Sequence, residues 1–196
     1  MMNRIKLLVL VGFCLIFISA KAEIKLPAIF GSNMVLQRNS EAALWGTARP
    51  ETTVLVKTSW DKAKYHVKSD EDGKWKVKVK TPEAGGPYEI IISDGEIVKL
   101  ENILIGEVWL CSGQSNMEMS LRGAANDPVF GANEAILNVN KPAIRLFKVE
   151  NDKGLQPQDN FMGSWQPCNR ETAPVLVRQL TFSATFFKRH WVYQLV

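Results

Sequence analysis

Cysteine and histidine are scarce in this sequence, with three cysteines and two histidines among 196 residues. The cysteines, Cys14, Cys111 and Cys168, lie far apart, and no CxxC pair or His/Cys cluster occurs. A disulfide scaffold needs many closely spaced cysteines, and a structural zinc site needs four grouped ligands. We therefore expect neither a disulfide scaffold nor a metal centre, and we expect no cofactor.

Long hydrophobic runs are also rare, and the one exception stands at the start of the chain. A basic stretch, Arg4–Lys6, precedes the apolar run Leu7–Ile18, and Ala20–Ala22 has the small-residue pattern of a cleavage site. This order predicts a signal peptide over residues 1–22. Because the run is too short for a stable membrane anchor, we expect a mature chain that starts at Glu23 and is exported, periplasmic or extracellular.

The excess of positive charge is small and sits at the ends of the chain. The formal net charge is +4, with 24 basic against 20 acidic residues. Residues 1–22 and 175–196 each hold three basic residues and no acid, which leaves 18 basic and 20 acidic residues between them. We therefore expect no nucleic-acid partner. Ordinary glycine and proline contents and 46% hydrophobic residues also exclude a disordered or collagen-like chain.

Short apolar or alternating runs separated by turn residues fill the first half. The predicted strands are Met34–Gln37, Ala42–Gly46, Thr53–Val56, Lys74–Lys80, Tyr88–Ile92 and Ile97–Leu100, the last two joined by a turn at Asp94-Gly95. Lys74–Lys80 alternates strictly, so its tryptophan and valines face one way and its lysines the other. The lysine stripe could bind anions, but a solvated sheet face guarded against edge pairing is the favoured interpretation. The pattern predicts a β-sandwich domain at residues 23–101.

A strand that leads into a serine-containing turn begins the second half. Asn102–Leu110 is strongly apolar, and Ser112–Asn116 (SGQSN) follows it before a helix-prone stretch. Such an arrangement presents a nucleophilic serine at the carboxyl end of a strand, where helix-terminal N–H groups stabilise an oxyanion. Ser115 is therefore the candidate catalytic nucleophile. A helix-capping serine is the alternative that the residues alone leave open.

The segment GEVWLCSGQSNMEM (106–119) resembles the nucleophile block of the sialate O-acetylesterase family, carbohydrate esterases of the SGNH/GDSL type. LPAIFGSNMVLQR (26–38) and WGTARPETTVLV (45–56) resemble the β domain of that family. The resemblance implies an α+β two-domain fold, in which the β-sandwich precedes the incomplete start of a three-layer α/β/α SGNH hydrolase domain at residues 102–174. It also implies that Ser115 attacks the acetyl ester of an O-acetylated carbohydrate such as sialic acid.

Within residues 102–174 we predict a helical turn or two at Asn133–Asn138 and a strand at Ala143–Val149, the β-α-β order of such a domain. Cys111 and Cys168 both lie in segments that match the family. A disulfide between them and two free buried thiols both remain open.

Residues 175–196 do not resemble the family. The tail can be back-translated into codons that, read in another frame, encode the Phe-Ser-Ala segment that the family places here. We therefore predict that the tail after about Pro174 is out of frame. The sequence lacks the Asp-x-x-His block from which the family takes its general base, and His190 has no aspartate three residues before it. We therefore expect that this chain derives from an enzyme and that it is inactive in its present form.

A second interpretation comes from a different class of protein. The β-sandwich could be a non-catalytic module that binds glycans or other partners. Release of acetate from O-acetylated sugars that depends on Ser115 would separate this interpretation from the esterase.

Overall fold

A computed structural model describes residues 24–113, 119–124, 126–149, 156 and 160–175, together with the backbone of 191–195. The signal peptide expected over residues 1–22 lies outside the described residues. The strands are β1 Val35–Gln37, β2 Glu41–Thr47, β3 Thr53–Thr58, β4 Lys64–Lys68, β5 Lys74–Lys80, β6 Gly85–Ser93, β7 Ile97–Cys111, β8 Lys141–Phe147, β9 Trp165–Cys168 and β10 Trp191–Leu195. Among the described residues the α-helix α1 spans Ala132–Asn138, and a 3-10 turn spans Ala173–Val175.

The strands form two sheets, and the described part of the chain is mostly β. In the larger sheet the order is β4-β3-β6-β7-β10-β8-β9, with β1 also paired to β7. The smaller sheet is the antiparallel pair β2 and β5. The predicted turn at Asp94-Gly95 is confirmed, because Ser93 of β6 pairs with Ile97 of β7 across it.

The alternation of β5 is confirmed residue by residue. Trp75 and Val79 are buried and all four lysines are exposed, while Val77 is half-buried. The buried face of β5 and that of β2 pack on β3 and β6 of the larger sheet. Burial of one face of each sheet against the other accounts for the stability of this part of the chain.

β7 is one strand of fifteen residues where the sequence predicted two. Leu100 pairs with Ile90, and Ile103 pairs with Tyr88, so β7 carries one more residue than β6 between these pairs. Asn102, within that bulge, has a φ of 56°, and asparagine tolerates this conformation better than most residues. The expected boundary between 101 and 102 therefore falls inside a continuous strand, and the division into two domains stays a prediction.

The second half of β7 belongs to a parallel arrangement. Glu107–Cys111 pairs with Trp191–Leu195 of β10, and β10 pairs in turn with β8, all in parallel register. The prediction that residues 175–196 are out of frame concerns the origin of the sequence and stays a prediction. In the structure, five of those residues form the strand that separates β7 from β8.

Two clusters of buried side chains hold the described residues together. The larger lies between the two sheets and extends to Phe147 and Trp165 in the second half of the chain. The smaller joins α1 to β8 and β9 through Ala132, Ile144 and Cys168, among others. Among the described residues, no helix is both long enough and apolar enough to cross a membrane.

Candidate active site

Three parallel strands end at the same edge of the larger sheet. Cys111 at the end of β7 pairs with Leu195 at the end of β10, and Gln194 pairs with Phe147 at the end of β8. In sheets of this kind ligands bind outside the carboxyl ends of the strands. The SGQSN motif starts directly after Cys111, so the described strands bring the chain to this edge immediately before Ser115.

The predicted nucleophile itself, Ser115, lies among residues 114–118, which are outside the described residues. His190, which we did not assign as a base, is also outside them. The first two residues of the motif, Ser112 and Gly113, are described and exposed. The arrangement thus defines how β7 approaches the motif and leaves the position of Ser115 as a prediction.

A polar network joins the base of this edge to β1, and sequence analysis did not identify it. Gln37 Nε2 donates to Glu107 Oε2 at 3.0 Å, and Arg38 Nε lies 2.5 Å from Glu107 Oε1. The backbone N–H of Val108 donates to Gln37 Oε1 at 2.9 Å. The hydrogen bonds from Gln37, and then those from Arg38, hold the pKa of the Glu107 carboxyl below its ordinary value. Gln37 therefore bonds both the backbone and a side chain of β7, and fixes β1 beside the strand that leads to the motif.

The signal for this network was present in the sequence. Gln37 and Arg38 end one family-like segment, and Glu107 interrupts an apolar run in another. A polar residue within a buried strand needs a partner, and the two segments supply partners to each other.

A buried arginine sits behind the same edge. Arg145 of β8 is buried, and its Nη2 donates to Asn102 Oδ1 at 3.1 Å. Its Nη1 donates to the Pro142 carbonyl, and its Nε has no acceptor among the described residues. Burial lowers the pKa of the Arg145 guanidinium. These contacts tie β8 to the bulge of β7, and Arg145 thus helps to set the position of the parallel strands.

The two cysteines are free thiols, which decides the alternative left open by the sequence. Cys111 lies on β7 and Cys168 on β9, with β10 and β8 between them. Three inter-strand steps of about 4.8 Å exceed the Cα–Cα span of a disulfide, roughly 7 Å at most. Burial raises the pKa of the Cys111 thiol, and burial raises that of Cys168 to about 11. Since the thiolate is the nucleophile, neither cysteine is suited to that role.

In the parts of the chain that the structure describes, no group of three His, Cys, Asp or Glu side chains could hold a metal ion. His66 lies on β4, exposed and opposite Leu55 of β3. It is far along the sheet order from the edge where β7 ends. His66 is therefore no partner for the SGQSN motif among the described residues.

The chain is similar to known carbohydrate esterases in both sequence and structure. The sialate O-acetylesterases of Pongo abelii and Homo sapiens are each 32% identical to it over 114 residues, 53% of this chain and 22% of theirs. That of Mus musculus is 28% identical over 142 residues, 67% of this chain and 25% of its own. The crystal structure of a carbohydrate acetylesterase from Xanthomonas citri superposes with a TM-score of 0.80 at 28% identity.

The chain is thus similar to the sialate O-acetylesterase family over part of its length. The resemblance that the sequence motifs indicated is thereby confirmed. No family model matches the chain.

The chain represents only part of the proteins to which it is related. It spans between 22% and 25% of the length of the curated relatives that it matches. The structural match covers 88% of this chain and 40% of the bacterial acetylesterase. Features of the whole relatives that depend on the remaining length are therefore not carried over to this chain by the similarity alone.

Proposed function

We propose that Ser115 is the nucleophile of an O-acetylesterase that removes acetyl groups from carbohydrates, sialic acid among them. The observation that carries the proposal is the course of β7, which ends at Cys111 beside the parallel strand β10, with the parallel strand β8 beyond it, four residues before Ser115. The similarity to sialate O-acetylesterases and to a carbohydrate acetylesterase supports the reaction type. A serine at this point of a parallel sheet meets its substrate outside the carboxyl ends of the strands.

The proposed reaction has two stages. The Ser115 Oγ attacks the acetyl carbonyl carbon while a general base takes its proton, and the sugar oxygen leaves with a proton to give a free hydroxyl and an acetyl-serine. Water then attacks the acetyl-serine, which releases acetate and regenerates the serine. Oxyanion-hole donors stabilise the negative oxygen that forms in each stage.

We propose that the general base is not supplied by this chain. The sequence contains no Asp-x-x-His block, and a serine without a base retains little of the rate enhancement. We further propose a division into a β-sandwich and the first part of a three-layer SGNH domain. The exposure of Trp109, Leu110 and Phe130 supports it, because further layers of such a domain would cover these side chains.

Release of acetate from O-acetylated sialic acid and from p-nitrophenyl acetate tests the activity. We expect turnover in a protein extended to include an Asp-x-x-His block, and little or none in the 196 residues alone. Ser115→Ala should abolish that turnover, whereas Ser164→Ala, at an exposed serine, should leave it unchanged. Turnover that survives Ser115→Ala would refute the role of this serine.

We also propose that the chain is exported after cleavage near Ala22. The order of basic, apolar and small residues in 1–22 supports this. N-terminal sequencing of the protein recovered from periplasm or medium tests it, with Glu23 as the expected first residue. Recovery of the uncleaved chain in the cytoplasm alone would contradict it.

A further inference from the structure

A cleft of about 770 Å³ lies on the β2–β5 side of the molecule, away from the ends of the parallel strands. Its walls come from the segment before β1, from β2 and β5, and from the end of β4. Its lining residues are Lys25, Leu26, Pro27, Trp45, Gly46, Thr47, Val67, Lys68, Ser69, Asp70, Lys74, Trp75, Lys76 and Asn160. The first wall is fixed by two hydrogen bonds of 2.9 Å between the backbones of Lys25 and Thr47. The cleft is within the size range of sites for small organic ligands.

The charge of the cleft is positive and is largely uncompensated. Four lysines line it against a single acid, Asp70. One of them, Lys68, forms an ion pair with Glu51. The Asp70 carboxylate accepts the backbone N–H of Asp72 at 3.0 Å and that of Lys74 at 2.7 Å. It is therefore already hydrogen-bonded within the turn that precedes β5. For Lys25, Lys74 and Lys76 no ion pair is described.

The structure divides the lysine stripe of β5 into two parts with different surroundings. Lys74 and Lys76 line the cleft, opposite Thr47 and Trp45 of β2. Lys78 lies outside the cleft and forms an ion pair of 3.5 Å with Glu41. Charge at any point of an edge strand protects it against pairing. Edge protection alone therefore does not explain why Lys74 and Lys76 line one cleft together with Lys25 and Lys68.

An aromatic ring lies beside these lysines. Trp45 is 38% exposed, and Phe30 packs at right angles against it with ring centroids 4.5 Å apart. The contact holds the indole in place, so a ligand that packs on it would not have to order it first. Trp75, also part of the lining, is buried, and its indole N–H has no acceptor among the described residues.

We propose that this cleft binds carbohydrate chains that carry carboxylate groups. The lysines pair with the carboxylates, and Trp45 packs against the apolar C–H face of a sugar ring. A neutral sugar has no charged group that would pair with the lysines. A nucleic acid would favour several exposed aromatic rings along a groove, and the described lining offers one. No residue of the parallel strands β7, β8 and β10 lines the cleft, and the proposal does not depend on the proposed esterase activity.

Titration of the purified chain, followed by tryptophan fluorescence and calorimetry, tests the proposal. The probes are a sialylated oligosaccharide and an oligogalacturonate, both without acetyl groups, each beside its carboxyl methyl ester as a neutral control. We expect the acids to bind and the esters to bind at least about fivefold more weakly, with weaker binding of the acids at high salt. Comparison of the two acids shows whether the cleft prefers the carboxylate of a sialic acid or that of a uronic acid.

Matched pairs of variants on one strand make the test specific. Lys74→Gln combined with Lys76→Gln should weaken binding of the acid by about tenfold, whereas Lys78→Gln combined with Lys80→Gln should change it by less than about twofold. All four lysines are exposed, so neither pair should affect folding. Trp45→Ala should weaken binding of both acid and ester, and Trp45→Phe should restore much of it.

Three results would overturn the proposal. These are equal loss in the two lysine pairs, equal binding of acid and ester, or DNA oligonucleotides of equal charge binding as tightly as the acidic sugars. The first would mean attraction to the whole stripe, and the last would mean a general polyanion surface. Since none of these measurements involves acetate release, failure here would leave the role of Ser115 untouched.

Discussion

Asp94 is the most completely buried carboxylate of the described structure, and it lies in the turn between β6 and β7. Its side chain is 0% exposed and its Oδ2 accepts Arg49 Nε at 3.2 Å. Its Oδ1 accepts the backbone N–H of Glu96 at 3.3 Å. Burial alone raises the pKa of Asp94, but hydrogen bonds from the Arg49 and Glu96 backbones and from the Arg49 side chain outweigh it and hold the pKa below its ordinary value.

Replacement of this carboxylate should therefore give a pH-dependent loss of stability. We expect Asp94→Asn to lower the free energy of unfolding at neutral pH by about 2 kcal/mol, the range of hydrogen bonds to a charged group. Because the pKa is depressed in the fold, this contribution is present above the unfolded pKa and is lost as the pH falls through the folded one. Urea unfolding from about pH 7 to about pH 3 should show the two proteins converge.

The control is Asp72→Asn, at an exposed position in another turn. It should change the unfolding free energy little at any pH. If the difference between the wild type and Asp94→Asn stayed constant as the pH fell, the carboxylate would not be the stabilising group.

At the scale of an element, the turn between β4 and β5 depends on one glycine. Gly73 has a φ of +78°, and a Cβ on it would lie 2.4 Å from the Ala48 carbonyl oxygen. Its own carbonyl accepts the Ala48 N–H at 2.8 Å, so the two backbones are held together. The close approach and the left-handed conformation both require glycine here.

Gly73→Ala should thus destabilise the protein by about 2 kcal/mol or more, from left-handed backbone strain and a clash with a fixed carbonyl. Gly31→Ala is the matched control, since nothing lies within 4 Å of a Cβ at Gly31. Thermal and urea unfolding should show that Gly73→Ala is less stable than Gly31→Ala. Equal stability of the two variants would show that the turn can relax.

The sequence predicted the elements whose pattern is local. The alternation in Lys74–Lys80 and the helical stretch at Asn133–Asn138 required only neighbouring residues, and both lie where they were expected. The continuity of β7 was missed, because the positive φ of Asn102 depends on partners in Asn33 and Arg145. The strand β10 was missed as well, because its place between β7 and β8 is set by pairing with distant residues.

For the candidate site, too, the sequence predicted the local motif and missed the contacts between distant segments. Ser115 was identified from a motif, and it lies outside the described residues. The Gln37–Glu107 network and the position of the cleft depend on contacts between segments far apart in sequence. Such contacts follow from the assembled sheets, and no local pattern carries them.

At the scale of the whole molecule, the larger of the two buried clusters includes residues from both halves of the chain. Trp165 is buried, packs against Phe147 with centroids 5.3 Å apart, and donates its indole N–H to the Ile29 carbonyl at 2.7 Å. Asn160 Oδ1 accepts the N–H of Ala28 at 2.9 Å. The segment before β1 is therefore held by residues from the far end of the described chain.

We expect the two halves to unfold together as a result. Trp165→Phe removes the hydrogen bond and should lower the free energy of unfolding by about 1–3 kcal/mol. Hydrogen exchange of β3 and β6, and alkylation of the buried Cys168 thiol, should report the same loss. A variant in which Cys168 became reactive while β3 and β6 kept full protection would show that the halves unfold independently.

The order β7-β10-β8 also has a consequence for the order in which the chain is made. β7 and β8 are synthesised first, yet they do not pair with each other, because the strand between them comes later in the sequence. Until residues 191–195 leave the ribosome, the facing edges of β7 and β8 stay open, and open strand edges pair readily with other chains. Aggregation with other chains is therefore most favoured in the interval between the synthesis of β8 and that of β10.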